Sequence, residues 1–413
     1  MTLNKSWLAL SMTAAMSVSV YAHANTTINA LFMSQAAYSK SDIQAMTQGF
    51  EKANPDIKVN LEFVPYEALH DKIIAAKGAG ANGYDVVLYD VIWPAEFAKF
   101  GILKDVTKRI KPSWQDKIFK GAWTTVKYDH KYWGMPWILD TKYLFYNKKM
   151  LKEAGITHPP RTLSELSEQA KIIKDKGLVK YPMVWSWAQS EALICDYTTL
   201  VSSYNGVFFK DGKPQFASGG SLKAVQFMKK TLTDKLSNPN SREYLEEDVR
   251  KVFSSGDAAF ALNWTYMYNL ANDPKQSQVA GDVGVEPMPG EHLGDVGAVN
   301  GSMGLGITSN SQHPDADWKF ISYLTSQKVQ DKYSKLSLPI WKASYDKPAV
   351  LKGQKELVEA AKISIGAMLA RPQTAQYPRL SNTLQQAIQR VLQNKQSARD
   401  AMQQANQVIS RLH

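Results

Sequence analysis

The chain has 413 residues, 44% apolar and 21% charged, with a formal net charge of +11. That length exceeds what one hydrophobic core usually serves, so two domains are expected of what reads as a soluble globular protein. Cys195 is the only cysteine, which excludes an intrachain disulfide. Lys and Arg are interleaved with Asp and Glu with no run of five, which argues for a solvated surface and against nucleic-acid or membrane binding.

The first residues carry an export pattern. Lys5 gives a positive start, Trp7 to Val20 an apolar run, and Ala22-His23-Ala24 a small-x-small cleavage site. We expect a signal peptide over 1–24, cleaved after Ala24; the other reading is a frayed helix. Cleavage removes one lysine and leaves a charge of +10. No later stretch approaches the roughly 20 apolar residues of a membrane span. Cys195 is too far from the cleavage site to carry a lipid anchor. The expected location is therefore the periplasm of a two-membrane bacterium, with the protein free of the membrane.

From Asn25 strands and helices alternate. Ile28 to Met33 has strand character. Ser41 to Ala53 is helical, stopped by Asn54-Pro55. Ile57 to Val64 alternates as a strand, Tyr66 to Ala79 is helical, and Tyr84 to Tyr89 is a buried strand. This rhythm implies a parallel sheet with helices on both faces, and a ligand beyond the carboxyl ends of its strands. Ser34, Gln35, Asp90 and Trp93 lie there. Gly78-Ala79-Gly80-Ala81-Asn82-Gly83 matches a dinucleotide fingerprint, but it ends a helix and precedes a strand, the reverse of the order that function needs.

Tyr132 to Leu151 reads as a first crossing between two lobes. Thr162 to Lys174 opens with a capping box, Thr162 with Glu165. Ser221 to Leu236 and Arg242 to Phe253 are helical, and Ala258 to Leu262 is a strand after the turn Ser255-Gly256-Asp257. Pro287 and Pro289 mark a second crossing, followed by the glycine-rich Asn300 to Ile307. Pro314 to Leu324 is a helix, and Leu338-Pro339 marks a third crossing. Lys352 to Met368 and Thr383 to Leu412 are closing helices.

No zinc-protease, nucleophile-elbow, P-loop or paired-cysteine motif is present. No metal or cofactor is expected, and the six histidines after the cleavage site are dispersed. Tryptophan stands out. Trp93, Trp185, Trp187, Trp264 and Trp341 lie at strand ends or crossings, where core packing and ligand contact are both open readings. Trp185 and Trp187 alternate, which places them on one face. Indoles suit the apolar C–H face of a sugar, while charged side chains such as Asp90, Asp140, Glu191 and Arg371, with the amide of Gln189, suit its hydroxyls.

The chain resembles the bacterial extracellular solute-binding proteins of the maltose- and trehalose-binding type, over essentially its whole mature length. The resemblance is carried by FEKANPDIKV, YDVVLYD, GMPWILDTKYLFYNKKMLKEAGITHPPRTLSEL, FSSGDAAFALNW, NGSMGLGI, WKFISYLTS and Arg371-Pro372. It implies an α/β periplasmic-binding (Venus-flytrap) fold, two lobes joined by three hinge crossings. Residues 25–138 with 290–338 would form one lobe, and 139–289 with 339–413 the other. It implies a monomer that binds a carbohydrate between the lobes and delivers it to an inner-membrane ABC permease, without catalysis. By position it carries ligand contacts onto Asp90, Trp264, Gly301, Ser302 and Arg371, and onto Ser34, Gln35, Trp187 and Gln189; Trp93 and Trp341 join them as strand-end and crossing indoles. Asp140 is expected at the hinge. Two departures bear on the ligand. The first strand ends in Met33-Ser34-Gln35 rather than an acid, and Trp137 is expected to narrow the cleft. The rival readings are an anion or metal complex in the same fold, and a secreted carbohydrate-active enzyme.

Overall fold

The computed structural model describes residues 26–34, 37–80 and 83–412. The expected signal peptide and Gln35 lie outside the described residues.

Two five-stranded sheets organise the chain. The first has the order Ile57–Val64, Thr26–Met33, Val86–Asp90, Met303–Ile307, Met135–Ile138. Its first three strands are parallel, as the strand–helix rhythm predicts, with helices Lys40–Ala53 and Tyr66–Lys77 between them. Met303–Ile307 runs antiparallel to its neighbours because the chain re-enters the sheet there. Register places Met303 opposite both Asp90 and Ile138, so all three share one end of the sheet.

The second sheet has the order Val296–Gly297, Val283–Pro289, Lys142–Asn147, Phe260–Trp264, Met183–Val184. Lys142–Asn147 is its central strand and every residue in it is buried. Tyr143 and Phe145 face one apolar cluster while Leu144 and Tyr146 face the other. A strand covered on both faces reads as a continuous apolar run, which is how this one reads apart from Lys142.

Local signals explain most boundaries. Ser39 caps its helix by accepting the Asp42 N–H (3.1 Å), and Asp42 accepts the Ser39 N–H in return. Thr162 likewise accepts the Glu165 N–H, but Glu165 reaches one residue further back, to the Arg161 N–H. The glycine-rich match at 78–83 falls after the helix Tyr66–Lys77 and before the strand Val86–Asp90. Gly256 turns the chain with φ +83°.

Several expectations are corrected. The helix expected over Arg242 to Phe253 is a 3-10 turn, Pro239–Glu243, followed by the helix Glu246–Ser254. The strand expected over Ala258 to Leu262 is Phe260–Trp264, so Trp264 ends the strand rather than following it. The last closing helix is two, Tyr377–Leu392 and Ala398–Ile409. Asn394 at φ 62° breaks it, and Ser397 recaps the chain by accepting the Asp400 N–H. The chain leaves the second sheet after Gly297 rather than at Pro289, because Val296 and Gly297 pair back onto Pro289 and Met288. The third passage lies beyond Leu338-Pro339, since Trp341 still bridges to Ile118.

Glu286 sits in the second sheet with its Oε1 buried and without a hydrogen-bond partner among the described residues. Burial, reinforced by Glu165 and Glu356, pushes its carboxyl up to about 8. The folded state then keeps a proton that the unfolded chain has lost, so stability falls as pH rises from the ordinary carboxylate range to about 8. One such group changes stability by at most about 1.4 kcal/mol per pH unit. Glu286→Gln should flatten this fall in urea melts between pH 5 and 8, and should raise stability at pH 8 by roughly 1–3 kcal/mol.

Candidate ligand-binding cleft

Strands of both sheets end at one cavity of about 740 Å³, within the range of small-molecule sites. The hinge closes its floor. Leu139 to Thr141 carry the chain from the first sheet to the second. Asp140 is buried there and its Oδ1 accepts the Thr141 N–H (2.9 Å) and the Thr265 Oγ1–H (2.6 Å). Its carbonyl accepts the Gly301 N–H (3.1 Å) and its N–H donates to Ser302 Oγ (3.3 Å). Burial pushes the Asp140 carboxyl up to about 7 against these donors. One residue thus fastens two crossings to the end of the Trp264 strand.

Arg371 occupies the centre. Its side chain is 1% exposed. Nη2 donates to Asp90 Oδ1 (3.0 Å) at the end of a first-sheet strand. Nη1 donates to Glu191 Oε1 (2.6 Å) in the first turn of the helix Glu191–Ser203. Asp90 also accepts the Tyr66 hydroxyl (2.7 Å). Glu191 accepts the hydroxyls of Tyr377 and Ser381, one turn apart on the helix Tyr377–Leu392. Burial raises the Glu191 pKa and the Arg371 charge opposes it. The helix N-terminus further favours an anion at this position.

Aromatic residues from both sides line the same cavity. On one side Trp93 stacks on Tyr66 (5.9 Å, 19°) and lies beside His70 (5.2 Å). Burial opposes a charge on His70, but Glu96 and Asp71 hold its pKa above the ordinary value. On the other side Trp264 is partly exposed, its Nε1 donating to Glu246 Oε1 (3.2 Å). A Cβ at position 301 would stand 2.2 Å from the Trp264 ring, so only glycine lets the indole pack against the hinge.

Of the expected contacts, Ser34, Asp90, Trp93, Gln189, Trp264, Gly301 and Arg371 line the cavity. Three do not, and these expectations are corrected. Trp187 is fully buried, stacked on Trp185 (5.3 Å, 10°), because the face the two share turns into the core. Ser302 is buried behind Gly301 as the hydrogen-bond partner of Asp140. Trp341 packs edge-on against Trp114 and donates Nε1 to the Thr325 carbonyl (2.8 Å), away from the cavity. Gln35 lies outside the described residues. Trp137 does not narrow the cleft; it is buried between Tyr38 (4.8 Å) and Phe32 (5.3 Å). Sequence reasoning missed Tyr66, His70, Glu246 and Tyr377. Each stands at or near the start of a helix whose N-terminus reaches the cleft. Correct helix starts were the signal that would have found Glu246 and Tyr377; for Tyr66 the start agrees with the sequence reading, but nothing in the sequence says that this helix N-terminus reaches the cleft.

Removing Arg371 would leave two buried carboxylates facing each other. Breaking a buried pair in this way typically costs about 3–5 kcal/mol. Arg371→Met should therefore lower unfolding stability by roughly that amount in urea melts at neutral pH.

The bacterial extracellular solute-binding protein model matches residues 35–331. A probable ABC transporter-binding protein of Deinococcus radiodurans is 27% identical over 352 residues, covering 81% of each chain. Among solved structures, maltose-bound T. maritima MalE3 shares 29% identity, with a TM-score of 0.87 over 94% of this chain and 100% of that one. A solute-binding protein from Thermotoga lettingae bound with α-D-tagatose shares 25% identity, with a TM-score of 0.83 over 94% of this chain and 99% of that one. The fold is the two-lobed periplasmic-binding-protein fold. The chain belongs to the bacterial extracellular solute-binding protein family of ABC transporters.

Proposed function

We propose that this chain is the periplasmic binding subunit of an ABC importer, that its ligand is a carbohydrate (a mono- or oligosaccharide, glycoside or polyol), and that it delivers this ligand to an inner-membrane permease. It would be exported by the signal peptide, cleaved after Ala24, and act as a monomer. The observation that carries the reading is the partly exposed Trp264 indole, anchored at its Nε1 in a cavity rich in hydrogen-bond acceptors. The indole offers a platform for the C–H face of a sugar ring, and the carboxylates offer acceptors for its hydroxyls. The maltose-bound and tagatose-bound relatives support the same ligand class.

The cavity wall argues against an anion. Glu67, Asp90, Asp140, Glu191, Glu246 and Glu247 line it, while Arg371 is already engaged by Asp90 and Glu191. A hydroxylated neutral ligand meets no such opposition. Closure of the lobes over it would then follow from its higher affinity for the closed state.

A thermal-shift screen of the mature protein from Asn25 tests the reading. A ligand at about 100 times its Kd adds roughly 2.7 kcal/mol of stability. Stabilisation by sugars or polyols and none by small anions is expected; the reverse pattern would refute the carbohydrate assignment. Trp264→Ala should weaken binding of the stabilising sugar at least tenfold while the protein stays folded by circular dichroism. Oligosaccharides incubated with the protein should be recovered intact by chromatography, and hydrolysis abolished by Asp90→Asn would make the chain an enzyme.

A further inference from the structure

Lys142 is a lysine where the pattern calls for an apolar residue. It opens the fully buried central strand of the second sheet, shares a face with Leu144 and Tyr146, and is 0% exposed. Its ammonium does not line the cavity, so ligand contact does not account for it. Its neighbours do. Nζ donates to Asp196 Oδ1 (2.5 Å) and Ser186 Oγ (2.8 Å) and stands 3.3 Å from Glu246 Oε1. It also lies 5.0 Å from the centroid of the Trp264 ring. Register explains the last contact: Lys142 and Trp264 are directly opposite on antiparallel strands, where cross-strand side chains meet.

The same Glu246 oxygen that faces the ammonium accepts the Trp264 Nε1–H (3.2 Å). The ring is thus held by the ammonium over its π face and by Glu246 at its edge, and both holds run through Lys142. Burial opposes a charge on Lys142, but Asp196 and Glu246 more than restore it and raise its pKa. Methionine at 142 with asparagine at 196 would fill the same space without burying this ion pair, so the pair invites a role beyond packing. We infer that Lys142 is a positioning residue of the cleft, fixing the Trp264 indole and through it the affinity for the ligand. Its ligand arm rests on the carbohydrate reading above; its structural arm does not.

The test uses the mature protein labelled with 5-fluorotryptophan, with the Trp264 resonance assigned as the one lost in Trp264→Phe. Lys142→Met alone leaves Asp196 unpaired and risks misfolding, so the informative variant is Lys142→Met/Asp196→Asn, with Asp196→Asn alone as control. In the double variant we expect the fluorine resonance of Trp264 to shift or broaden while the other nine tryptophan resonances stay within a linewidth. In the control, where the ammonium keeps Glu246 and the indole, Trp264 should not move. Maltose and tagatose, whichever binds the unmodified protein, should bind the double variant at least fivefold more weakly and the control within twofold. An unmoved Trp264 resonance in the double variant, or an equal movement in the control, overturns the inference, as does unchanged affinity for a sugar the unmodified protein binds. If neither sugar, nor any other carbohydrate, stabilises the unmodified protein, the carbohydrate reading falls and the fluorine spectra alone decide the role of Lys142.

Discussion

The cleft depends on one buried guanidinium. Arg371 joins Asp90, at the end of a first-sheet strand, to Glu191, at the start of a second-sheet helix. Neither carboxylate could be held there alone, since an unpaired buried charge is strongly unfavourable. The pairing is therefore a geometric demand on both lobes at once. Tyr66 on one side, and Tyr377 and Ser381 on the other, add hydroxyl donors to the same two carboxylates. Tyr66 and Tyr377 are the first residues of their helices, and Ser381 follows one turn after Tyr377.

The second lobe repeats the motif. Lys142 lies between Asp196 and Glu246 much as Arg371 lies between Asp90 and Glu191. In both places one cation is shared by two carboxylates, and in both an aromatic residue is tied to one of those carboxylates: Tyr66 to Asp90, Trp264 to Glu246. The two networks differ in purpose. The arginine network spans the lobes, whereas the lysine network lies wholly within the second and shapes its wall. Glu246 links the buried network to the cavity, being partly exposed where Lys142 is not.

Much of the fold was legible because it rests on local rules. Ile57–Val64 and Pro314–Leu324 are read from alternation and from proline at the first helical turn, and the structure gives the same bounds. The last closing helix, expected as one over Thr383 to Leu412, is two because its break depends on a left-handed Asn394, a conformation that asparagine tolerates but does not announce. The site was legible only in part. Alternation showed that Trp185 and Trp187 share a face, as their stacking bears out, but it could not say whether that face meets ligand or core. Trp341 was misassigned for the same reason: proximity to a crossing does not specify direction. Glu246 was missed because the helix was begun four residues early, which placed it mid-helix instead of in the first turn.

The arginine bridge also bears on how such a cleft can close. A ligand shifts an open–closed equilibrium only by its differential affinity for the two states. Here the structure already has contacts between elements of the two sheets: Arg371 with Asp90 and Glu191, and the Trp264 ring against Gly301. These interactions set the starting point from which a ligand must work. The desolvation of two carboxylates and a guanidinium offsets much of their attraction, so the bridge contributes less net stability than its short distances would imply in isolation. That near-cancellation suits a binding protein. A bridge strongly favourable by itself would hold the cleft shut without ligand. One that roughly balances leaves the decision to the hydroxyls and ring faces that fill the remaining volume, while still fixing the geometry in which they are received.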